Sequence, residues 1–197
     1  MFKLKESFEP WKLREALLVG IVSVVFGVVY VAVTYLSVFL ATLISFTGLG
    51  LLVYEPIYGV WFMASTFIAY FIRKPGAAIM AEVLAAFLEV LMGNVFGPLV
   101  LLSAALQGLG AELVFLAYDY KNYSLKVMIL ASLASGLVSF GLGFFISGFT
   151  LLSFGLILVM LAIRLISSAF FAGYLSYFLA VRLEKTGLTK GYGHRAS

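Results

Sequence analysis

No cysteine occurs in this chain, and its one histidine, His194, stands three residues from the end of the sequence. The first absence excludes a disulfide framework, a thiolate nucleophile and a cysteine zinc site. The second leaves no imidazole for a Ser–His protease or a histidine metal centre. Charge is equally scarce: only 11% of the 197 residues are Asp, Glu, Lys or Arg, where a soluble domain carries about 25%. No Gly-x-x-x-x-Gly-Lys-Ser/Thr loop, Gly-x-Ser-x-Gly elbow or His-Glu-x-x-His pair is present. The chain therefore brings no nucleotide site or hydrolase centre of those kinds. Its basic tails are short and read as topology signals, which argues against nucleic acid as a partner. No enzyme activity, metal or cofactor is expected.

Apolar residues fill the space that charge leaves, at 63% of the chain. A single water-facing globule of that composition could not cover its own surface with polar groups. The expectation is an all-α, polytopic integral membrane protein in a lipid bilayer, forming one transmembrane domain. A helical span needs roughly 20 apolar residues. Runs bounded by charge, Pro and Gly fall at 17–40, 56–72, 76–92, 98–118, 125–146 and 151–181, which predicts six spans. The run from Leu17 is too long for the apolar core of a signal peptide. Pro56, Pro75 and Pro98 sit at or near helix starts, where a missing N–H is harmless. The last run is too long for one upright helix, so it must tilt, break or project.

Basic residues then set the orientation. With six spans and the N-terminus inside, Lys3, Lys5, Lys12, Arg14, Arg73, Lys74, Lys121, Lys126, Arg182, Lys185, Lys190 and Arg195 all fall on the cytoplasmic side. The positive-inside rule thus predicts two cytoplasmic termini. It turns Ala41–Tyr54 into an outer loop, either a flap over an outward-facing pocket or a plain surface connection. Gly187–Ser197 reads as a frayed tail.

A charge inside the bilayer costs at least a few kcal/mol and faces a cavity or a partner. Arg164 lies in the sixth span, Glu82 and Glu89 in the third, and Glu112 in the fourth. Counted along the helices, Glu82 and Glu112 share a level on the inner side. Either could pair with Arg164, as an internal lock or a purely structural network. Glu89 lies alone in the outer half, two turns from Glu82 on the same helix face. Tyr58, Trp61, Asn94 and Gln107 gather near the level of Glu89. Carboxylates with Tyr and Trp faces suit an organic cation, and amides can read ring nitrogens and amino groups. Tyr58 and Trp61 also suit an interfacial aromatic belt. Phe140, Phe144 and Phe154 are further candidates from the last two spans. On the first span Ala16, Gly20, Ser23 and Gly27 form a stripe of small residues. Such a stripe serves close packing within the bundle or docking of another membrane subunit.

Glu55-Pro56-Ile57-Tyr58-Gly59-Val60-Trp61, then Glu82, Glu89 and Gly93-Asn94, then Gln107-Gly108-Leu109-Gly110-Ala111-Glu112 resemble the YkoE-type S components of energy-coupling-factor vitamin transporters. The likeness covers the second to fourth spans and is weak in the first, fifth and sixth. It implies a six-helix S-component bundle in the plasma membrane with an outward-facing pocket under a loop. The implied ligand is thiamine or its hydroxymethylpyrimidine precursor, and the implied partners are a T subunit and two ATPases. Glu89, with Glu55, would neutralise the thiazolium, Tyr58 and Trp61 would stack on a ring, and Asn94 and Gln107 would read the pyrimidine. The stripe at Ala16, Gly20, Ser23 and Gly27 would dock the partner. Two other readings stay open: a proton-coupled transporter of organic cations relaying through Glu82, Glu112 and Arg164, and a scaffold subunit that transports nothing.

Overall fold

The structure, a computed structural model, describes residues 10–187 and, among them, helices and turns without a strand. Lys3, Lys5, Lys190, His194 and Arg195 lie outside the described residues, as does the tail beyond Gly187.

Helix α1 spans Leu13–Leu43, three residues past the expected end. Val19, Ser23, Phe26, Gly27, Tyr30, Thr34 and Ser37 recur every three or four positions and form its buried face, the spacing of one side of an α-helix. That face packs on α3 (Ala77–Leu91). The opposite side is apolar and exposed, including Ile21, Val25 and Val28. From α3 the chain continues through α4 (Leu99–Ala117) and α5 (Leu125–Ile146), each packed on the one before. A last composite helix packs on α5 and comprises α6 (Phe154–Ser168), a π-helical segment (Ala169–Leu175) and α7 (Ser176–Lys185).

The second span closes the bundle, and it departs from the single helix expected over 56–72. Glu55–Phe62 is a 3₁₀ helix, and only Met63–Ile72, α2, is α-helical. All ten residues of α2 are buried, the situation of a helix apolar on every side. The 3₁₀ half packs closely on the sixth helix. The Gly59 N–H donates to Ser167 Oγ at 2.9 Å. A Cβ at Gly59 would lie 2.3 Å from the Ser167 carbonyl oxygen, so only glycine permits this approach.

The sixth helix resolves its excess length by a break in register and by extension to Lys185. The π segment frees the Ala172 carbonyl, which accepts from Thr66 Oγ1 of α2 at 2.7 Å. Gly173 in the same segment leaves room for Ile129 and Ser132 of α5. By length and apolarity α1, α4, α5 and the composite sixth helix can each cross a membrane alone. Helix α3, with 15 residues, and α2 are shorter; α2 stands inside the bundle, whereas α3 leaves Met80, Phe87 and Leu91 on the exposed side.

Gln107–Glu112 gives each of its distinctive residues a separate task. Gly108 sits against α3, where a Cβ would lie 2.7 Å from Ile79 Cα. Gly110 points to α5, where a Cβ would lie 2.9 Å from the Ala134 oxygen. Ala111 is fully buried. Glu112 caps α3: its carboxylate accepts from Gly76 N–H at 2.6 Å and Ala78 N–H at 3.0 Å. Helix α3 starts on a glycine with no side-chain cap of its own, and four N–H groups are left over at every helix start. Glu112 thus does not pair with Arg164, because its charge is already met by backbone donors at a positive helix end. Burial, and secondarily the Glu112 charge, raise the phenols of Tyr120 and Tyr123 in the adjoining loop well above their ordinary value. Glu112→Ala leaves both N–H groups unmet, so a loss of about 1–3 kcal/mol is expected. Thermal unfolding in detergent measures it. Glu112→Gln, which keeps one acceptor, should lose less, and an unchanged midpoint for the alanine variant would remove the capping role.

Candidate binding cavity

A cavity of about 340 Å³ lies between the 3₁₀ segment and α3, α4, α5 and α6. Small-molecule sites begin at about that size. Leu51 and Tyr54, from the segment after α1, line it, and Leu52 beside them packs with Phe140, Phe149 and Met160. The connection after α1 is therefore part of the cavity wall and not a detached surface loop.

Three carboxylates and one guanidinium line the cavity: Glu55, Glu82, Glu89 and Arg164. None is more than 2% exposed, so their pairing decides what the cavity presents. Arg164 donates from Nε to Glu55 Oε2 and from Nη2 to Glu55 Oε1, each at 2.6 Å. This two-pronged contact is the strongest form of the pair. The guanidinium also lies 3.6 Å from the centre of the Tyr58 ring, and its Nη1 donates to Ser139 Oγ at 3.3 Å.

Glu82 is held by neutral donors. Tyr30 OH donates to Oε1 and Ser65 N–H to Oε2, both at 2.9 Å. The same Tyr30 oxygen accepts from Ala64 N–H at 3.1 Å. These bonds tie α1, α2 and α3 together at the cavity floor. Glu89 accepts from Thr34 Oγ1 at 2.6 Å, and the Trp61 and Asn94 side chains stand within range of its carboxyl. Among the described residues no basic side chain faces Glu89. Gln107 donates from Nε2 to Ser103 Oγ at 2.7 Å and to Ser139 Oγ at 3.5 Å. Its backbone carbonyl takes the Ser135 hydroxyl. Tyr58 and Trp61 meet edge to face with centroids 5.3 Å apart, and both line the cavity.

The family model described as "ABC-type cobalt transport system, permease component" matches residues 14–138. A relative from Bacillus subtilis (strain 168), "Putative HMP/thiamine permease protein YkoE", is 45% identical over 183 residues, 93% of this chain and 89% of its own. A solved structure, "Crystal structure of an S-component of ECF transporter", matches with a TM-score of 0.88 at 44% identity, covering 93% of this chain and 91% of that one. The chain belongs to the YkoE-type S components. It is a multi-pass membrane subunit of a transporter, not an enzyme.

Within this S component, the sequence-predicted residues separate into groups. Glu55, Tyr58, Trp61, Glu89 and Gln107 line one cavity. Asn94 does not: its Oδ1 accepts from Phe96 N–H and its backbone N–H bonds the Glu89 carbonyl. Asn94 shapes the turn after α3, and Phe96 reaches the cavity in its place. The network expected of Glu82, Glu112 and Arg164 does not form. Glu55 is the partner of Arg164, because the 3₁₀ segment carries it inward from the place where a loop end would have left it. Phe140 lies 5.0 Å behind the guanidinium, and Phe154 is 74% exposed.

The small-residue stripe is also divided. Ser23 donates to the Ala81 carbonyl at 3.2 Å, and a Cβ at Gly27 would lie 2.9 Å from Leu88 Cβ. Both are used inside the bundle and are closed to a partner. Ala16 is exposed, and Gly20 has nothing within 4 Å of its Cβ position. Sequence reasoning missed Tyr30 and Thr34. Their signal was present: with Ser23 and Ser37 they place a polar group on one face of an otherwise apolar span, at offsets of seven, four and three.

Proposed function

We propose that this subunit captures thiamine, or its hydroxymethylpyrimidine part, from the outer side of the plasma membrane for an energy-coupling-factor importer. One observation carries the choice of ligand charge. Arg164 is the cavity's basic lining residue and is bound to Glu55, while Glu89 faces the same space without a basic partner among the described residues. An unpaired carboxylate in a low-dielectric cavity calls for a cation. Tyr54, Trp61 and Phe96 offer ring faces to a flat heterocycle, and the Gln107 amide offers an oxygen to an amino group. The family model's description names cobalt. Among the described residues no three His, Cys, Asp or Glu side chains come together as a metal site, which favours an organic ligand.

In this reading a T subunit and two ATPases complete the importer, and both termini face the cytoplasm. Ala16 and Gly20 are the part of the α1 stripe open to the T subunit. Isothermal titration of the purified chain in detergent tests the ligand. Binding of neither thiamine nor hydroxymethylpyrimidine would end the proposal. Glu89→Gln should weaken thiamine by about 1.5–3 kcal/mol, the range for hydrogen bonds to charged groups. The same substitution should change the affinity for neutral hydroxymethylpyrimidine much less. Equal losses for both ligands would show that Glu89 does not meet the cationic ring.

A further inference from the structure

The Glu55–Arg164 pair neutralises the cavity's guanidinium and occupies its side-on edge. Arginine is the residue best fitted to grip a phosphate, through two parallel N–H donors on one edge. Here that edge, Nε and Nη2, is fully occupied by the two Glu55 oxygens. Nη1 donates one N–H to Ser139 Oγ, and the Tyr58 ring covers one face of the group at 3.6 Å; the N–H left on each of Nη1 and Nη2 belongs to a cation whose charge Glu55 already neutralises. Every other charged group on the cavity wall is a carboxylate. Among the described residues, a phosphate ester entering this space would meet Glu82 and Glu89 and no cation that is not already paired.

We propose that Glu55 is a specificity residue: by masking Arg164 it makes the cavity reject phosphorylated forms of its ligand and accept the free alcohol. The inference rests on the reading of the ligand given above and adds its selectivity. The pair is built to persist, since Glu55 and Arg164 are 1% and 2% exposed and water cannot easily replace either partner. Glu55 works through Arg164, so its removal should alter the choice between ligands more than the affinity for the free one.

Titration of purified wild-type protein with thiamine and thiamine monophosphate gives the first readout. The expected preference for thiamine is at least about tenfold, within the range of the penalty for a buried polar group left unsatisfied. Glu55→Gln should narrow it by about tenfold or more, the effect of one added charge-assisted contact. The further change Arg164→Gln in that background should restore the preference. Equal binding of the two ligands by wild type, or an unchanged ratio in Glu55→Gln, would overturn the proposal. Inorganic pyrophosphate gives a readout independent of thiamine. Glu55→Gln should bind it, whereas wild type and the double variant should not. If thiamine fails to bind but this pattern holds, the ligand reading fails and the masking stands. If thiamine binds but the pattern is absent, the masking fails alone. Should Glu55→Gln not fold, Glu55→Asp withdraws the carboxylate while keeping its charge, and an unchanged ligand ratio there also overturns the proposal.

Discussion

Arg164→Met should destabilise the folded chain by about 3–5 kcal/mol, the range for removing one partner of a buried ion pair. Methionine approximates the length of the side chain, so little volume is lost. What remains is the Glu55 carboxylate, 1% exposed, with both of its arginine bonds gone. The pair joins the 3₁₀ segment to α6, two elements far apart in sequence. Losing it also removes the cation above Tyr58, a contact worth about 2 kcal/mol when desolvated. Thermal unfolding in detergent should show a large drop in Tm. Adding Glu55→Gln to Arg164→Met neutralises the stranded charge and should recover a good part of the loss. If the double variant is as unstable as the single one, the effect comes from packing and not from the unpaired charge.

The second large effect is expected at Gly59. A methyl group there would sit 2.3 Å from the Ser167 carbonyl oxygen and 2.8 Å from Ser168 Cα. Both are backbone atoms of a packed helix and cannot swing aside. Overpacking typically costs about 1–3 kcal/mol and occasionally more, and this contact belongs at the upper end. Gly59→Ala should also separate the 3₁₀ segment from the sixth helix, lengthening the Gly59–Ser167 hydrogen bond and spoiling the Arg164 wall of the cavity. Gly141 serves as the control. It lies inside α5 with nothing within 4 Å of its Cβ position. Gly141→Ala should stabilise by about 0.5–1 kcal/mol through helix propensity. Opposite shifts in Tm for the two alanine variants check the argument. A neutral Gly59→Ala would mean that the sixth helix shifts freely.

The legible features shared one property: each depended on spacing along a single segment. Apolar runs and their boundaries marked the helices, because a span needs a stretch of fixed length in lipid. Tyr58 and Trp61, three apart, and Glu82 and Glu89, seven apart, could be placed on common faces before any packing was known. The pairing of Arg164 could not. Depth along each helix suggested Glu82 or Glu112, but depth says nothing about the direction a side chain takes around its helix. Glu112 proved to be turned toward the α3 start and Glu82 toward Tyr30. Asn94 was at a suitable height, yet the turn after α3 claimed its oxygen.

Composition and spacing along the chain are enough to make it a helical membrane protein, to mark the residues that must be sheltered from lipid, and to show the family it resembles. Those conclusions need only composition, period and the cost of charge in hydrocarbon. Tertiary structure alone decided how the charges are shared. Glu55–Phe62 is a 3₁₀ helix bonded to Ser167, and it holds Glu55 against Arg164. The pair cancels the cavity's positive charge and leaves Glu89 without a basic partner among the described residues. Such cancellation depends on distances between segments far apart in the chain, and no pattern within one segment records them.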